Sequence, residues 1–143
     1  PNFGDRGLQL SRSFRALKVW MSVQTFGMAA FRRSIGQGIE LAEQAEAYIR
    51  ESDVLQIANP ASLGVVCFRV NPRTAELSNE ELEEINESVQ ARVIEEAVAM
   101  MSSTRLRGLY SLRLCILNHT TTWEDVRFTL AAIEDFGREA ISS

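Results

Sequence analysis

The chain has 143 residues, 45% of them hydrophobic and 24% charged. That is an ordinary globular balance, and the length suits one domain with a real core. No apolar run reaches the length of a membrane span, and no basic stretch followed by an apolar core reads as a signal peptide. The net charge of −4 is unevenly spread. Up to Gly36 the basic residues Arg6, Arg12, Arg15, Lys18, Arg32 and Arg33 face a single acid, Asp5, so the acidity lies in the remainder. Such a patch admits nucleic acid as a partner. This one is short and has no reader motif, so a smaller anion or the acidic surface of another subunit fits better.

The opening PNFGDRG reads as a loop, and Pro1 is not an initiator residue, so the chain is expected to be part of a larger polypeptide. Gln9 to Gly27 follows as a first helix, with Phe14, Leu17 and Met21 on one face and Val19, Trp20 and Val23 on another. Two apolar faces predict burial on more than one side. A second helix is predicted from Met28 to Glu51, with Phe31, Ile35, Ala42, Ala45 and Ile49 at helical spacing and Glu40, Glu43 and Glu46 on its wet face. Gly36 and Gly38 weaken it locally and call for a close helix crossing or a kink.

Short β-type runs follow at Val54–Ala58 and Val65–Val70, separated by Asn59, Pro60 and Gly64. Ser78 and Glu81 form a capping box before a third helix, whose stripe is Leu82, Ile85, Val89 and Val93 and whose other face is acidic. Ala97–Leu106 and Tyr110–Leu117 read as a hairpin turning at Arg107–Gly108. Thr122 and Asp125 cap a last helix with Val126, Leu130, Ile133 and Ile141 along one face. The expected fold is α+β: two helices over residues 1–52, then a ββαββα domain over 53–143 with helices on one face of a small antiparallel sheet. Cys67 and Cys115 lie in apolar, strand-like runs without metal-ligand spacing, and are expected to be buried free thiols in a reducing cytoplasm.

Three stretches resemble one family. LSRSFRALKVW (Leu10 to Trp20), GVVCFRV (Gly64 to Val70) and SSTRLRGLYSLRLCILNHTTTWED (Ser102 to Asp125) are similar, in order and spacing, to the C-terminal third of pyridoxal-phosphate-dependent amino-acid decarboxylases, the group of the aromatic-amino-acid and glutamate enzymes. The resemblance implies the small C-terminal domain of a fold-type-I enzyme, attached to a large cofactor domain and working as a cytoplasmic dimer through that domain and the first helix. It implies loss of CO2 from the α-carbon of a small-molecule amino acid. The cofactor ring acts as electron sink, while the protein orients the carboxylate bond and excludes water. A decarboxylating aldehyde synthase or a transaminase-like relative belongs to the same resemblance. The competing reading is a free-standing ferredoxin-like ligand-binding or regulatory module; an upstream histidine–lysine motif in the gene would discriminate.

Such an enzyme needs a lysine to hold its cofactor. The one lysine here, Lys18, sits in ALKVW rather than in the histidine–lysine motif, which the resemblance places upstream. The chain by itself is therefore expected to be inactive. Ser11, Arg12, Ser13 and Arg15 form an anion-binding constellation at a helix start, or else an ordinary serine cap with solvated arginines. The resemblance favours a cofactor-side role for Ser11 and Arg12, with the backbone at Ser11 approaching the phosphate of the neighbouring subunit. Relatives often have glycine there. Arg113 stands opposite Leu112, Leu114 and Ile116 in its strand. By alternation alone it is either a carboxylate clamp or an arginine on a wet face; the resemblance favours the clamp on the substrate α-carboxylate. His119 has no cysteine or acid at ligand spacing and reads as a turn residue, and no metal site is expected.

Overall fold

The computed structural model describes residues 14–74 and 76–142. Its elements run α1 (Arg15–Glu51), β1 (Leu55–Ser62), β2 (Val65–Val70), α2 (Asn79–Glu95), β3 (Ser102–Leu106), β4 (Leu109–Cys115) and α3 (Trp123–Ser142). The two predicted helices form one long element broken at Gly27, whose φ of 75° and ψ of 155° lie outside helical space. Glycine reaches that φ without the steric cost a Cβ would add. The chain divides into two compact units between Arg33 and Ser34.

In the first unit, Phe14, Leu17, Val19, Trp20 and Met21 are all exposed. Among the described residues, the burial expected from two apolar faces is not seen in this unit. Phe26 and Met28 are exposed as well.

In the second unit, Leu41, Ala42, Ala45 and Ile49 of α1 enter the core, whereas Ile35 is exposed and lies outside the stripe. The four strands form an antiparallel sheet in the order β1-β2-β4-β3. Val66, Phe68, Val70, Leu112 and Leu114 alternate onto its inner face and join Val89, Val93, Val126, Leu130 and Ile133 of α2 and α3 in one core cluster. This is the predicted α+β layering, with helices on one face.

Several details differ from expectation. β1 continues through Asn59 and Pro60 to Ser62, with irregular register on both sides of Asn59. A proline is tolerated there because β1 is an edge strand and needs no outward N–H. β3 begins only at Ser102; Ala97, at a φ of 54°, closes α2, and residues 97–101 are not strand. Gly38 faces a strand end rather than another helix: a Cβ on it would lie 3.0 Å from the Ile116 carbonyl oxygen.

Two buried polar groups fix the layers. Asn86, on α2, receives the Val70 N–H at 2.8 Å and donates to the Val70 carbonyl at 2.9 Å. It thereby pairs both backbone groups of a residue beyond Phe68, where the β2–β4 ladder ends. Glu134, on α3, accepts from the Tyr48 hydroxyl at 3.1 Å and from the Ser52 hydroxyl. Ser52 Oγ in turn accepts the N–H groups of Val54 and Leu55, holding the turn from α1 into β1.

Candidate functional site

The hairpin register is set by a two-residue turn. Arg107 and Gly108 both take positive φ, 53° and 82°, which brings Leu106 opposite Leu109 and, four pairs on, Ser102 opposite Arg113. On the other side of β4, Cys67 of β2 stands opposite Arg113. Because Leu112 and Leu114 point into the core, strand alternation sends Arg113 to the face that the helices leave open.

Arg113 is exposed. Its Nε–H donates to Ser102 Oγ at 3.0 Å, and the Ser102 hydroxyl donates in return to the Arg113 carbonyl at 3.4 Å. Elsewhere in the second unit, on its helix side, Arg105 pairs with Glu83, Arg92 with Glu96 and Glu139, and Arg138 with Glu134 and Asp135. Arg113 makes no ion pair with a carboxylate among the described residues, so its guanidinium keeps donors for an external anion.

The same face carries Arg69, whose Nε–H donates to Gln56 Oε1 at 2.9 Å and whose charge is disfavoured by partial burial. Burial also pushes the Cys67 thiol up; Arg113 pulls it back in part, and Cys115 adds to the rise. A cavity of about 180 Å³ on this face is lined by Gln56, Arg69, Leu106, Arg107, Leu109 and Ser111, among others, but not by Arg113. Both cysteines are free thiols. Burial was expected for both, yet Cys115 is exposed and Cys67 only half-buried, since each falls on the open face of its strand.

Lys18 is exposed on α1. Ser11 and Arg12 lie outside the described residues. His119 sits exposed in a turn where Asn118 Oδ1 accepts from the backbone and hydroxyl of Thr120 at 3.1 and 2.9 Å. Among the described residues no group of three His, Cys, Asp or Glu could hold a metal ion, and no helix is long and apolar enough to cross a membrane.

Residues 1–71 match the family described as the pyridoxal-dependent decarboxylase conserved domain. An aromatic-L-amino-acid decarboxylase of Bacillus atrophaeus is 42% identical over 139 residues, which is 96% of this chain and 28% of that relative. The chain belongs to the pyridoxal-dependent decarboxylase family. A phenylacetaldehyde synthase of a Rosa hybrid cultivar is 32% identical, over 86% of this chain and 25% of its own length. A solved structure of Oryza sativa TDC with PLP and tryptamine is similar at a TM-score of 0.82 and 25% identity, covering 94% of this chain and 29% of that one. The glutamate decarboxylase domain of a Vibrio parahaemolyticus protein aligns at a TM-score of 0.76 and 26% identity, over 90% and 27%. The chain thus spans between a quarter and a third of the length of these relatives.

Sequence reasoning placed Arg113 on its face but missed Ser102. The means to find it was present: counting back from the Arg107–Gly108 turn puts Ser102 directly across from Arg113.

Proposed function

We propose that this chain is the small-domain portion of a pyridoxal-phosphate-dependent L-amino-acid decarboxylase, and that Arg113 grips the substrate α-carboxylate. The supporting observation is an arginine on the open sheet face with no carboxylate partner among the described residues. A guanidinium can hold a carboxylate through two parallel hydrogen bonds. When bound, the cofactor supplies the electron sink for the bond that breaks. The part taken by this chain is to bind and orient the carboxylate.

Within the same proposal the backbone at Ser11, with Arg12 beside it, approaches the cofactor phosphate of a neighbouring subunit. The enzyme is a cytoplasmic homodimer joined through its large domain and the first helix. The exposed apolar side chains of that helix, Phe14 and Trp20 among them, and two free thiols support this reading. The 32% identity to a phenylacetaldehyde synthase favours a second reading, in which an aldehyde rather than an amine is released. Product analysis, amine against aldehyde, separates the two.

The test of the clamp is Arg113→Lys in the full-length enzyme. Lysine keeps the charge and loses the paired geometry. Losing a charge-assisted hydrogen bond worth about 1.5–3 kcal/mol lowers kcat/KM by about tenfold to a hundredfold. Cofactor absorbance and melting temperature should stay near wild type. A folded, fully loaded variant with wild-type efficiency ends the clamp assignment.

A further inference from the structure

We infer that Ser102 is a positioning residue for Arg113: by occupying Nε it leaves the Nη1/Nη2 end of the guanidinium as the edge offered to a carboxylate. The inference rests on the clamp reading above and deepens it.

A guanidinium has five N–H donors, one on Nε and four on the two Nη atoms. It can meet a carboxylate along its side, through Nε and one Nη, or end-on through both Nη atoms. Here the side is taken, because Nε–H points at Ser102 Oγ at 3.0 Å. The serine proton is turned toward the Arg113 carbonyl, 3.4 Å away, so the hydroxyl presents a lone pair to Nε. Ser102 and Arg113 are register partners on adjacent strands, where side chains directly opposite stand closest. The hydroxyl is therefore carried by the sheet rather than by a loop, and its position follows from the hairpin turn. Cys67, the partner on the other side, offers a half-buried thiol, a weak acceptor that does not compete for Nε. With one donor fixed, less side-chain freedom remains to be lost when the carboxylate arrives.

The experiment compares Ser102→Thr with Ser102→Val in the full-length holoenzyme. The two are near-isosteric and both suit a strand, and they differ in the hydroxyl. The readouts are KM for the L-amino acid turned over fastest in a panel, and the inhibition constant of the corresponding amine product, which lacks the carboxylate. Ser102→Val should raise KM by roughly three- to tenfold, the span of one net hydrogen bond, with kcat less affected. It should leave the amine constant within about twofold, and Ser102→Thr should behave like wild type on both. Equal weakening of amino acid and amine marks a merely structural role and overturns the inference, as does an unchanged KM. Should Ser102→Val fold poorly, Ser102→Ala is read in the same way. Arg113→Lys is measured alongside. If it discriminates the carboxylate while Ser102→Val does not, only the positioning role fails. If Arg113→Lys leaves both constants unchanged, the clamp itself fails.

Discussion

The Ile116 backbone N–H donates to the Gly64 carbonyl at 2.7 Å, tying the end of β4 to the turn between β1 and β2. The Ile116 carbonyl lies against Gly38 of α1 and Gly64 at once, so helix, turn and strand end meet with no room for a methyl group. Gln37 adds a hydrogen bond from Nε2 to the Thr121 carbonyl at 2.9 Å, in the loop that follows.

Gly64→Ala should therefore destabilise the chain. Its Cβ would lie 2.7 Å from the Ile116 oxygen, a backbone atom that cannot swing aside. Overpacking of this kind costs about 1–3 kcal/mol. Gly36→Ala is the internal contrast, because nothing lies within 4 Å of its Cβ. There the gain in helix propensity should stabilise by about 0.5–1 kcal/mol. Denaturant melts of both variants check the sign of each change.

A second outcome concerns alkaline pH. Burial and the adjacent Glu134 raise the Tyr48 phenol above its ordinary 10.0. The folded state then holds its proton when the unfolded chain releases it. The stabilisation is complete below about pH 10 and is lost as pH rises through the folded value. Tyr48→Phe should cost about 0.5–1.5 kcal/mol at neutral pH for the lost hydrogen bond, and should flatten the decline of stability above pH 10. Stability measured across that range, for both proteins, is the check. Parallel curves would show that Tyr48 does not contribute to the alkaline arm.

The chain alone should form no specific covalent adduct with pyridoxal phosphate. Lys18 is exposed on a helix and has no partner motif around it. Borohydride reduction after mixing, followed by digestion, should give at most trace labelling. Stoichiometric modification of Lys18 would contradict this.

The order of elements and the face of Arg113 were legible because periodicity is local. Leu82, Val89 and Val93 of α2, and Val126, Leu130 and Ile133 of α3, announce their inner faces by spacing alone. The capping box at Ser78 and Glu81 is present as read, with Ser78 N donating to Glu81 at 2.8 Å and Glu81 N to Ser78 at 3.2 Å. What spacing could not show depends on partners distant in sequence. Asn86 looks like an interruption of the α2 stripe until Val70 is placed beside it. Pro60 looks like a strand stop, and is one only in a central strand. The apolar faces of the first helix promised burial, but composition says only that cover is wanted, not that this stretch of chain supplies it.

The outer rim of the sheet has a further effect. β1 is an edge strand whose register slips around Asn59, just before Pro60, which has no N–H to donate, and the Ala61 N–H is already taken by Glu46 of α1. A foreign strand arriving at that border would find an uneven ladder with a missing rung. At the opposite border, β3 is only five residues long and carries Arg105. Growth of the sheet by addition of further chains, the usual route to fibres, is thus discouraged at both rims. If the chain clumps, it should do so through greasy side chains such as Trp20 and Phe26, giving amorphous and detergent-reversible aggregates rather than cross-β fibrils.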